Sequence, residues 1–285
     1  MKLITQKLVG LLFLAALNPT TALAQTEPKV EYFDISDVRL TRSAFKHAED
    51  MDIQYLLALN PDRLLAPYLK GAGLEPKADN YPNWENTGLD GHIGGHYLSA
   101  LSFMYAATGN EEIGRRLDYV LSELKRCQDT AGDGYLCGVP DGRKMWKEIE
   151  QGNVRAATFG LNDRWVPLYN IHKTYAGLRD AYLVAHREEA KDMLIKLTDW
   201  MERTTANLTD EQMQDMLRSE HGGLNETFAD VAAITGNKRY LKLAHRFSHE
   251  IILNPLLKQE DKLTGIHANT QIPKVIGFKR IADIE

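Results

Sequence analysis

The chain has 285 residues, of which 44% are hydrophobic and 26% are charged, and its formal net charge is −5. This length fits one large domain or two small ones, and no Pro-, Ser- or Gly-rich linker divides the sequence. The acidic balance does not provide the basic face that binds nucleic acid, so we expect no nucleic-acid partner.

The first 24 residues have the features of an export signal. Lys2 and Lys7 flank the start of an apolar run over 8–17, which is too short to span a bilayer. The segment ALA over 22–24 is a cleavage site of the A-x-A type, so the mature chain is predicted to begin at Gln25. No later apolar run has the length of a membrane helix. We therefore expect a periplasmic or secreted protein without a membrane span.

Residues 25–40 are predicted to be an extended lead-in, and residues 41–285 a helical catalytic domain. Thr41 is predicted to cap the first helix, and Asn60-Pro61 to end it. Its apolar positions are Phe45, Ala48, Met51, Tyr55 and Leu56. A short helix or turn over 63–70 follows.

A polar, aromatic loop over 81–95 precedes the next helix. Its prolines and glycines break any regular pattern, and apolar residues then recur at helical spacing from His96 to Thr108, where Gly109 ends the run. The loop brings to this helix Trp84, Glu85, Asp90, His92 and His96. Rings that stack on a sugar and polar groups that bind hydroxyls favour a carbohydrate site. The alternative is a loop that only covers a helical core.

The rest of the chain is predicted to be mostly helical. Asn110 caps a helix with an apolar stripe to Leu124. A long loop with one short helix covers 128–166. Thr209 and Gln212 form a capping box for a short helix. Longer helices are predicted over 171–186, 188–205, 224–235, 237–253 and 270–285.

The same sequence separates the paired helices at two places. TGN occurs at 108–110 and again at 235–237, each time between paired helices. Polar residues begin the first helix of each pair: His96; His172; Asn225 with Glu226; and Asn269 with Gln271. We interpret this as a diverged helical-hairpin repeat. Stacked hairpins with first helices inside and second helices outside predict an all-α toroid.

Two pairs of residues raise the question of metal or disulfide sites. His92 and His96 are four apart, but Gly94 and Gly95 between them make a continuous helix unexpected, and there is no HExxH motif. Cys127 and Cys137 could form a disulfide in an oxidising compartment, or they could be two unrelated thiols. Neither pair has the three or four clustered ligands of a zinc site.

Six segments in order resemble the glycoside hydrolases of families 127 and 146, the β-L-arabinofuranosidases. They are NPDRLLAPY (60–68), GLDGHIGGHYLSALS (88–102), GDGYLCGVP (132–140), YNIHKTYAGL (169–178), EHGGLNE (220–226) and GIHANTQIPK (265–274). The resemblance covers nearly the whole chain after residue 36. It implies an (α/α)6 barrel with the site at the mouth of the inner helices. It also implies that His96, His172 and His267 contact the hydroxyls of an arabinofuranose.

The resemblance implies an unusual catalytic chemistry. A thiolate bound to zinc attacks the anomeric carbon, and a glutamate serves as acid/base; metal coordination makes such a thiol reactive. Those residues lie beyond the equivalent of Lys274, so we expect no catalytic residue and no metal ligand within this chain. Zinc is expected only for the full-length family enzyme. Cys127 and Cys137 lie outside that motif.

Two carboxylates are candidates by position, because glycosidases generally use a pair. Glu226 could instead be an ordinary first-turn glutamate, and Asp90 could stabilise its own loop. The predicted substrate-binding residues are Trp84, Asp90, His92, His96, His172, Asn225, Glu226, His267 and Gln271.

The helix count bears on the extent of the domain. A closed toroid of six hairpins needs twelve helices, whereas the sequence pattern predicts about eight and breaks off at residue 285 without a cap. We therefore expect an incomplete catalytic barrel from a longer enzyme, inactive by itself. A shortened natural helical domain is the alternative.

The resulting functional hypothesis is an exported glycosidase that releases terminal arabinofuranose from arabinose-containing plant glycans. Another α/α-toroid enzyme, such as an unsaturated uronyl hydrolase or a lyase, is one alternative. A non-catalytic carbohydrate-binding module is the other. The resemblance supports the first hypothesis.

Overall fold

The computed structural model describes residues 32–285. The predicted export signal over 1–24 and the first part of the predicted lead-in lie outside the described residues. Asp34–Glu285 forms one compact unit. In this part of the chain, no helix combines the length and the apolar character needed to cross a membrane.

Twelve α-helices make up most of the described chain, so the all-α prediction is confirmed. They are α1 (Ala44–Ala58), α2 (Pro61–Gly71), α3 (His92–Thr108), α4 (Glu111–Ala131), α5 (Gly142–Glu150), α6 (Pro167–Leu183), α7 (Glu188–Thr205), α8 (Asp210–Met216), α9 (Leu224–Thr235), α10 (Lys238–Arg246), α11 (Glu250–Leu257) and α12 (Ala268–Ile284). Short 3-10 helices occupy Ile35–Asp37 and Asn83–Asn86. The predicted count of about eight helices is wrong. The number of helices therefore does not support the expectation that the toroid is incomplete.

Four helices form an inner row, in which α3 packs on α6, α6 on α9, and α9 on α12. Helices α4, α7 and α10 pack behind their hairpin partners. Neighbouring inner helices run in the same direction: Gly95 meets Lys173 near the start of α3 and α6, and Ser99 binds Asp180 further along. The N-terminal ends of the inner helices therefore lie together at one end of the row.

Capping residues mark the hairpins as predicted. The Asn110 side chain accepts hydrogen bonds from two backbone N–H groups at the start of α4, and Asn237 accepts one at the start of α10. Gly109 and Gly236 end α3 and α9 in the left-handed conformation. The predicted capping box of Thr209 and Gln212 is also present, at the start of α8.

The start of α3 differs from the prediction. The helix begins at His92 rather than His96, so Gly94 and Gly95 lie within it. A Cβ on Gly95 would come within 2.3 Å of the Lys173 backbone, and one on Gly94 within 2.7 Å of the Tyr68 ring. These glycines are needed for close packing, which offsets the roughly 1 kcal/mol that glycine costs inside a helix.

Helix α1 also differs. Ser43 caps it rather than Thr41, because the Ser43 hydroxyl accepts from the Lys46 N–H. Of the five predicted apolar positions only Leu56 is buried, and Phe45 is 76% exposed. Helix α1 packs on α3 and α4, but Phe45, Ala48 and Tyr55 line an open groove beside α3 and are not covered by it.

The predicted helix over 237–253 is broken in two. Helix α10 ends at Arg246 and α11 begins at Glu250, whereas Pro255 lies inside α11. The side chain of Gln214 donates to the Ser248 carbonyl and accepts from the Glu250 N–H. Gln214 of α8 thus pairs the backbone carbonyl and N–H groups that the break leaves free. No residue of the local sequence predicts this contact.

The region 128–166 holds the predicted short helix, α5, and a small sheet that was not predicted. Its antiparallel strands are β1 (Ala156–Ala157), β2 (Gly160–Leu161) and β3 (Arg164–Trp165), in the order β1-β2-β3. Strands of two residues are too short to give an alternating pattern. The sheet lies next to the N-terminal end of the inner row, where residues of both line one cavity.

Candidate functional site

A cavity of about 710 Å³ lies at the N-terminal end of the inner row. Its lining combines residues that precede α3, the first turns of α6 and α12, the segment before α9, and the small sheet. They are Trp84, Leu89, Phe159, Trp165, Val166, Tyr169, Lys173, Glu220, Gly222, His267, Asn269, Ile272 and Pro273. The volume is in the range of small-molecule sites.

Three exposed aromatic rings line the cavity, and we call them the aromatic rim. Trp84 is 62% exposed, Phe159 47% and Trp165 37%. The Trp84 and Trp165 rings are perpendicular, with centroids 6.2 Å apart, and the Phe159 ring stands edge-on to His267 at 5.9 Å. Of the predicted site residues, Trp84 and His267 thus lie in the cavity.

The polar side of the cavity is formed by Lys173, Glu220 and His267, which we call the polar floor. The Lys173 ammonium lies 4.0 Å from the centre of the Tyr169 ring and 3.3 Å from Nδ1 of His172. Among the described residues, no side chain donates a hydrogen bond to the Glu220 carboxylate or forms an ion pair with it. The floor therefore offers a carboxylate and an ammonium that are not neutralised by direct pairing with each other.

Burial shapes the charge of the polar floor. It lowers the pKa of Lys173 to about 8, although the carboxylate of Glu220 acts in the opposite direction. Lys173 therefore carries a proton near neutral pH but loses it in mildly alkaline solution. Burial, with the charge of Lys173 next, lowers the pKa of His172 well below its ordinary value. His172 is neutral at pH 7, so its ring can both donate and accept a hydrogen bond.

His172 lies directly behind the cavity wall. A Cβ on Gly222 would come within 2.4 Å of its Nδ1, and one on Gly223 within 3.3 Å of its Nε2. Gly222 also has φ of +57°, a conformation that favours glycine. The two glycines of EHGG therefore let the chain pass over the imidazole.

His92 and His96 lie one turn apart on α3, so the expectation of an interrupted helix between them is wrong. Nδ1 of His92 lies 2.8 Å from the Leu89 carbonyl oxygen and 2.6 Å from a Glu85 oxygen. His92 and Trp84 line a second cavity of about 740 Å³, which thus shares Trp84 with the first. His96 is exposed, and its ring centroid lies 6.3 Å from that of His92.

Two carboxylates organise the loop before α3. Glu85 accepts hydrogen bonds from the backbone N–H groups of Gly91 and Ile93, where the helix dipole favours a negative charge. Asp90 accepts from the Asn80 amide and from the Gly88 N–H. The Asp90 side chain is thus engaged within its own loop and does not line the cavity.

Glu226 belongs to a charge network deeper in the inner row. Arg179 of α6 donates to Glu226 at 3.2 Å and to Asp230 at 3.1 Å, both on α9, and it also pairs with its neighbour Asp180. Arg280 of α12 donates to Asp230 at 2.7 Å. Burial raises the pKa of Glu226, although Arg179 opposes the effect.

Asn225 and Gln271 lie beside the cavity rather than in its lining. Asn225 is fully buried and donates to the Lys274 carbonyl, and Gly277 of α12 passes over its side chain. The side-chain oxygens of Asn225 and Gln271 are buried without a hydrogen-bond donor. The structure therefore does not bring Asp90, Asn225, Glu226 or Gln271 into the cavity, and their roles in sugar binding remain predictions.

The residues from 32 to 285 do not fit the zinc ion that the resemblance implies. They contain no group of three or more His, Cys, Asp or Glu side chains placed to hold a metal. Cys127 and Cys137 are both buried and unpaired with each other. Burial raises the pKa of Cys127 to about 12 and that of Cys137 to about 11, so both are neutral thiols near pH 7.

Several cavity residues were not singled out by the sequence. Lys173 directly follows the predicted His172, and Glu220 begins the EHGGLNE segment that contains the predicted Asn225 and Glu226. Phe159 and Trp165 stand on the unpredicted sheet. Only the tertiary arrangement shows that these residues share one cavity with Trp84.

Comparison with known proteins gives a family. The sequence model for the GH127 catalytic domain of β-L-arabinofuranosidases matches residues 37–285. A crystal structure of Ara127N-Se, a GH127 β-L-arabinofuranosidase from Geobacillus stearothermophilus T6, superimposes with a TM-score of 0.53 at 16% sequence identity. The match covers 81% of this chain and 36% of that one, so the chain spans about a third of that enzyme's length. No curated protein sequence matches the chain.

Proposed function

The chain belongs to the GH127 β-L-arabinofuranosidase family, and from this premise we propose that its cavity binds a terminal β-L-arabinofuranosyl residue of a glycan. The observation that carries the proposal is the polar floor. An ammonium, a carboxylate without a hydrogen-bond donor and an imidazole converge there from the N-terminal ends of the inner helices. Sugar hydroxyls can donate to the carboxylate and accept from the ammonium.

In this proposal the residues of the floor have separate roles. Glu220 accepts hydrogen bonds from one or two hydroxyls, and Lys173 donates to a neighbouring hydroxyl or ring oxygen. His267, whose Nδ1 lies 3.2 Å from the Thr270 hydroxyl, contributes its imidazole to the same floor. His172 holds the Gly222-Gly223 backbone and the Lys173 ammonium in place. Of the predicted histidine contacts with the sugar, the one at His267 is part of this proposal, whereas His172 lies behind the cavity wall and His96 is not in the lining.

The reaction that we propose for the family member is retaining hydrolysis of the glycosidic bond. Residues 32–285 supply sugar recognition in this scheme, and the nucleophile and the acid/base come from outside them. We accordingly propose that the 285-residue chain binds sugar without turning it over. Arabinose-containing plant glycans as substrates and export through the N-terminal signal also belong to the proposal.

The test is sugar binding measured by isothermal titration calorimetry with methyl β-L-arabinofuranoside. Glu220→Gln keeps the shape of the side chain but removes its charge. Because hydrogen bonds to a charged group are worth about 1.5–3 kcal/mol, we expect at least about tenfold weaker binding. Glu211→Gln, at an exposed position on α8, is the matched control and should bind like the unaltered protein.

Two results would contradict the proposal. One is the absence of measurable binding to the arabinofuranoside by the unaltered protein. The other is equal affinity of Glu220→Gln and Glu211→Gln, which would mean that the sugar binds away from the floor. Steady release of arabinose by the purified chain would contradict only the part that assigns the catalytic residues elsewhere.

A second candidate is an α/α-toroid enzyme that acts on uronic acids. The observation that favours it is Lys173, whose ammonium lies in the cavity and forms no ion pair with a carboxylate among the described residues. Such a site would bind glucuronate more tightly than arabinofuranoside, and Lys173→Met would abolish the preference. The same calorimetric comparison therefore decides between the two candidates.

A further inference from the structure

The second cavity, of about 740 Å³, has a different chemical character from the cavity with the polar floor. It lies between the end of α1, helix α2, the segment before α3 and the first turn of α3. Its apolar walls are Tyr55, Leu59, Leu64, Tyr81, Trp84 and Ile93. Among the described residues that line it, Glu85 is the only acidic one and His92 the only basic one. The cavity is therefore mostly apolar, with one pair of ionisable groups in its lining.

Glu85 and His92 form this pair, and each is only 3% exposed. Nδ1 of His92 lies 2.6 Å from Oε1 of Glu85 and 2.8 Å from the carbonyl oxygen of Leu89. Because a carboxylate and a carbonyl both accept hydrogen bonds, Nδ1 carries the proton of the neutral ring. The other ring nitrogen, Nε2, then has a free lone pair and is a hydrogen-bond acceptor.

The Nε2 atom of His92 is available to a ligand. No described residue forms a hydrogen bond with it, and it is not one of the polar side-chain atoms that are enclosed without a partner. The cavity that His92 lines is the second one. Glu85 is itself held by the backbone N–H groups of Gly91 and Ile93, so the imidazole has a fixed orientation. One oriented acceptor thus belongs to an apolar cavity.

Aromatic rings supply much of the apolar wall. Trp84 is 62% exposed and Tyr55 is 65% exposed, although large rings are usually buried. The ring of Tyr81 is held in place, because the Arg63 guanidinium lies 4.1 Å from its centre and its hydroxyl accepts from the Asn60 N–H. Three rings around one concave surface favour a flat, apolar ligand, since aromatic rings attract one another in stacked and edge-on arrangements.

The charges of the cavity select among ligands with such a ring. The carboxylate of Glu85 repels an anion, and none of the described lining residues is a lysine or an arginine that would bind one. A sugar would leave most of its hydroxyls against apolar walls, where a polar group without a partner is unfavourable. A phenol satisfies both conditions, because it is neutral and has one hydroxyl that donates.

We propose that the second cavity is a binding site for a single-ring phenol, whose hydroxyl donates a hydrogen bond to Nε2 of His92. The ring lies against Tyr55, Tyr81 and Trp84. Glu85 is the positioning residue, which orients the imidazole and keeps its proton on Nδ1. This site is separate from the polar floor, and the inference does not depend on the proposed function.

The test is a ligand-observed NMR titration at about pH 8, above the ordinary pKa of histidine. The ligands are 4-methylphenol and p-xylene, in which a methyl group replaces the hydroxyl. His92→Asn keeps a donor for the Leu89 carbonyl but removes Nε2. It should weaken 4-methylphenol binding at least about fivefold, because a buried donor loses its partner, and leave p-xylene within about twofold. His47→Asn, at an exposed position on α1, is the matched control and should bind both ligands like the unaltered protein.

Two further measurements identify the cavity. Trp84→Ala should weaken both ligands by a similar factor, because it removes part of the wall and leaves the acceptor. In the unaltered protein, the NMR signal of one imidazole Nε2 should move when 4-methylphenol is added and stay when p-xylene is added. This measurement also decides the matter if circular dichroism shows that His92→Asn is unfolded.

A selective loss of 4-methylphenol binding in His92→Asn would support the inference. It would be overturned if the unaltered protein did not bind 4-methylphenol, if His92→Asn weakened both ligands equally, or if no imidazole signal responded to the phenol. Displacement of 4-methylphenol by methyl β-L-arabinofuranoside would also overturn it, because the two ligands would then share one site. The proposed function is tested separately at Glu220 and is unaffected by these results.

Discussion

His249 should make the protein sensitive to acid. It is 6% exposed at the start of α11, and the ammonium of Lys274 lies 2.9 Å from its Nδ1. Burial, with the charge of Lys274 next, lowers the pKa of His249 from 6.5 to about 3. Between these two values the unfolded chain binds a proton that the folded chain does not. The contribution of the neutral His249 to the free energy of unfolding is therefore fully present above pH 6.5, and it is lost as the pH falls from 6.5 towards 3.

The size of the effect follows from the two pKa values. At pH 5 the unfolded imidazole is almost fully protonated and the folded one is neutral, which costs about 2 kcal/mol relative to pH 7.5. The pKa of His221 is also lowered by burial, and its ring lies 5.9 Å from that of His249, so it acts in the same direction.

The assay is urea denaturation at pH 7.5 and pH 5 for the unaltered protein and for His249→Gln. Glutamine keeps an acceptor for Lys274 but does not titrate, so the variant should lose about 2 kcal/mol less on acidification. His47→Gln, at an exposed position on α1, should behave like the unaltered protein. An equal loss in all three proteins would refute the reasoning, because the protonation of His249 would then not contribute to the pH dependence of stability.

Two further predictions concern the inner row. Arg179→Met leaves three carboxylates of α6 and α9 without this partner, so we expect a loss of about 3–5 kcal/mol in chemical denaturation, and a smaller loss in Arg179→Lys. A loss below about 1 kcal/mol would mean that the network is solvated like a surface pair. Gly95→Ala should cost at least about 2 kcal/mol, because its Cβ would overlap the Lys173 backbone of the packed helix. In Gly109→Ala the Cβ meets no neighbour and only the positive φ is unfavourable, so about 1 kcal/mol is expected; equal losses in the two variants would refute the packing argument.

The hairpin order of the fold was predictable because its signals are local. An Asn cap after a Gly stop is decided by the residues themselves, as at Gly109-Asn110 and Gly236-Asn237. The start of α3 was not predictable in this way. Gly94 and Gly95 are unfavourable in an isolated helix, and only their contacts with α2 and α6 show why they stand there. The break before α11 depends in the same way on Gln214 of another helix.

The candidate site shows the same division. The sequence identified most of the segments that form the cavity but not the small sheet, and within EHGGLNE it chose Glu226 over Glu220. Glu220 lies four residues before α9 and Glu226 lies in its first turn. Only their partners show which carboxylate is engaged: Arg179 binds Glu226, whereas no described side chain donates to Glu220. Residue type and position could not separate an engaged carboxylate from an available one, because the partner lies 47 residues away on another helix.

The separation of the charge network from the cavity determines how each can be perturbed. Arg179 lies six residues after Lys173 on α6, or about 9 Å further along the helix axis. The network therefore joins α6, α9 and α12 below the polar floor and sets the spacing of their N-terminal ends. A change at Arg179 should reach the sugar only through the positions of these helices, whereas a change at Glu220 acts on the hydroxyls directly. Stability and sugar affinity should accordingly respond to different residues of one inner row.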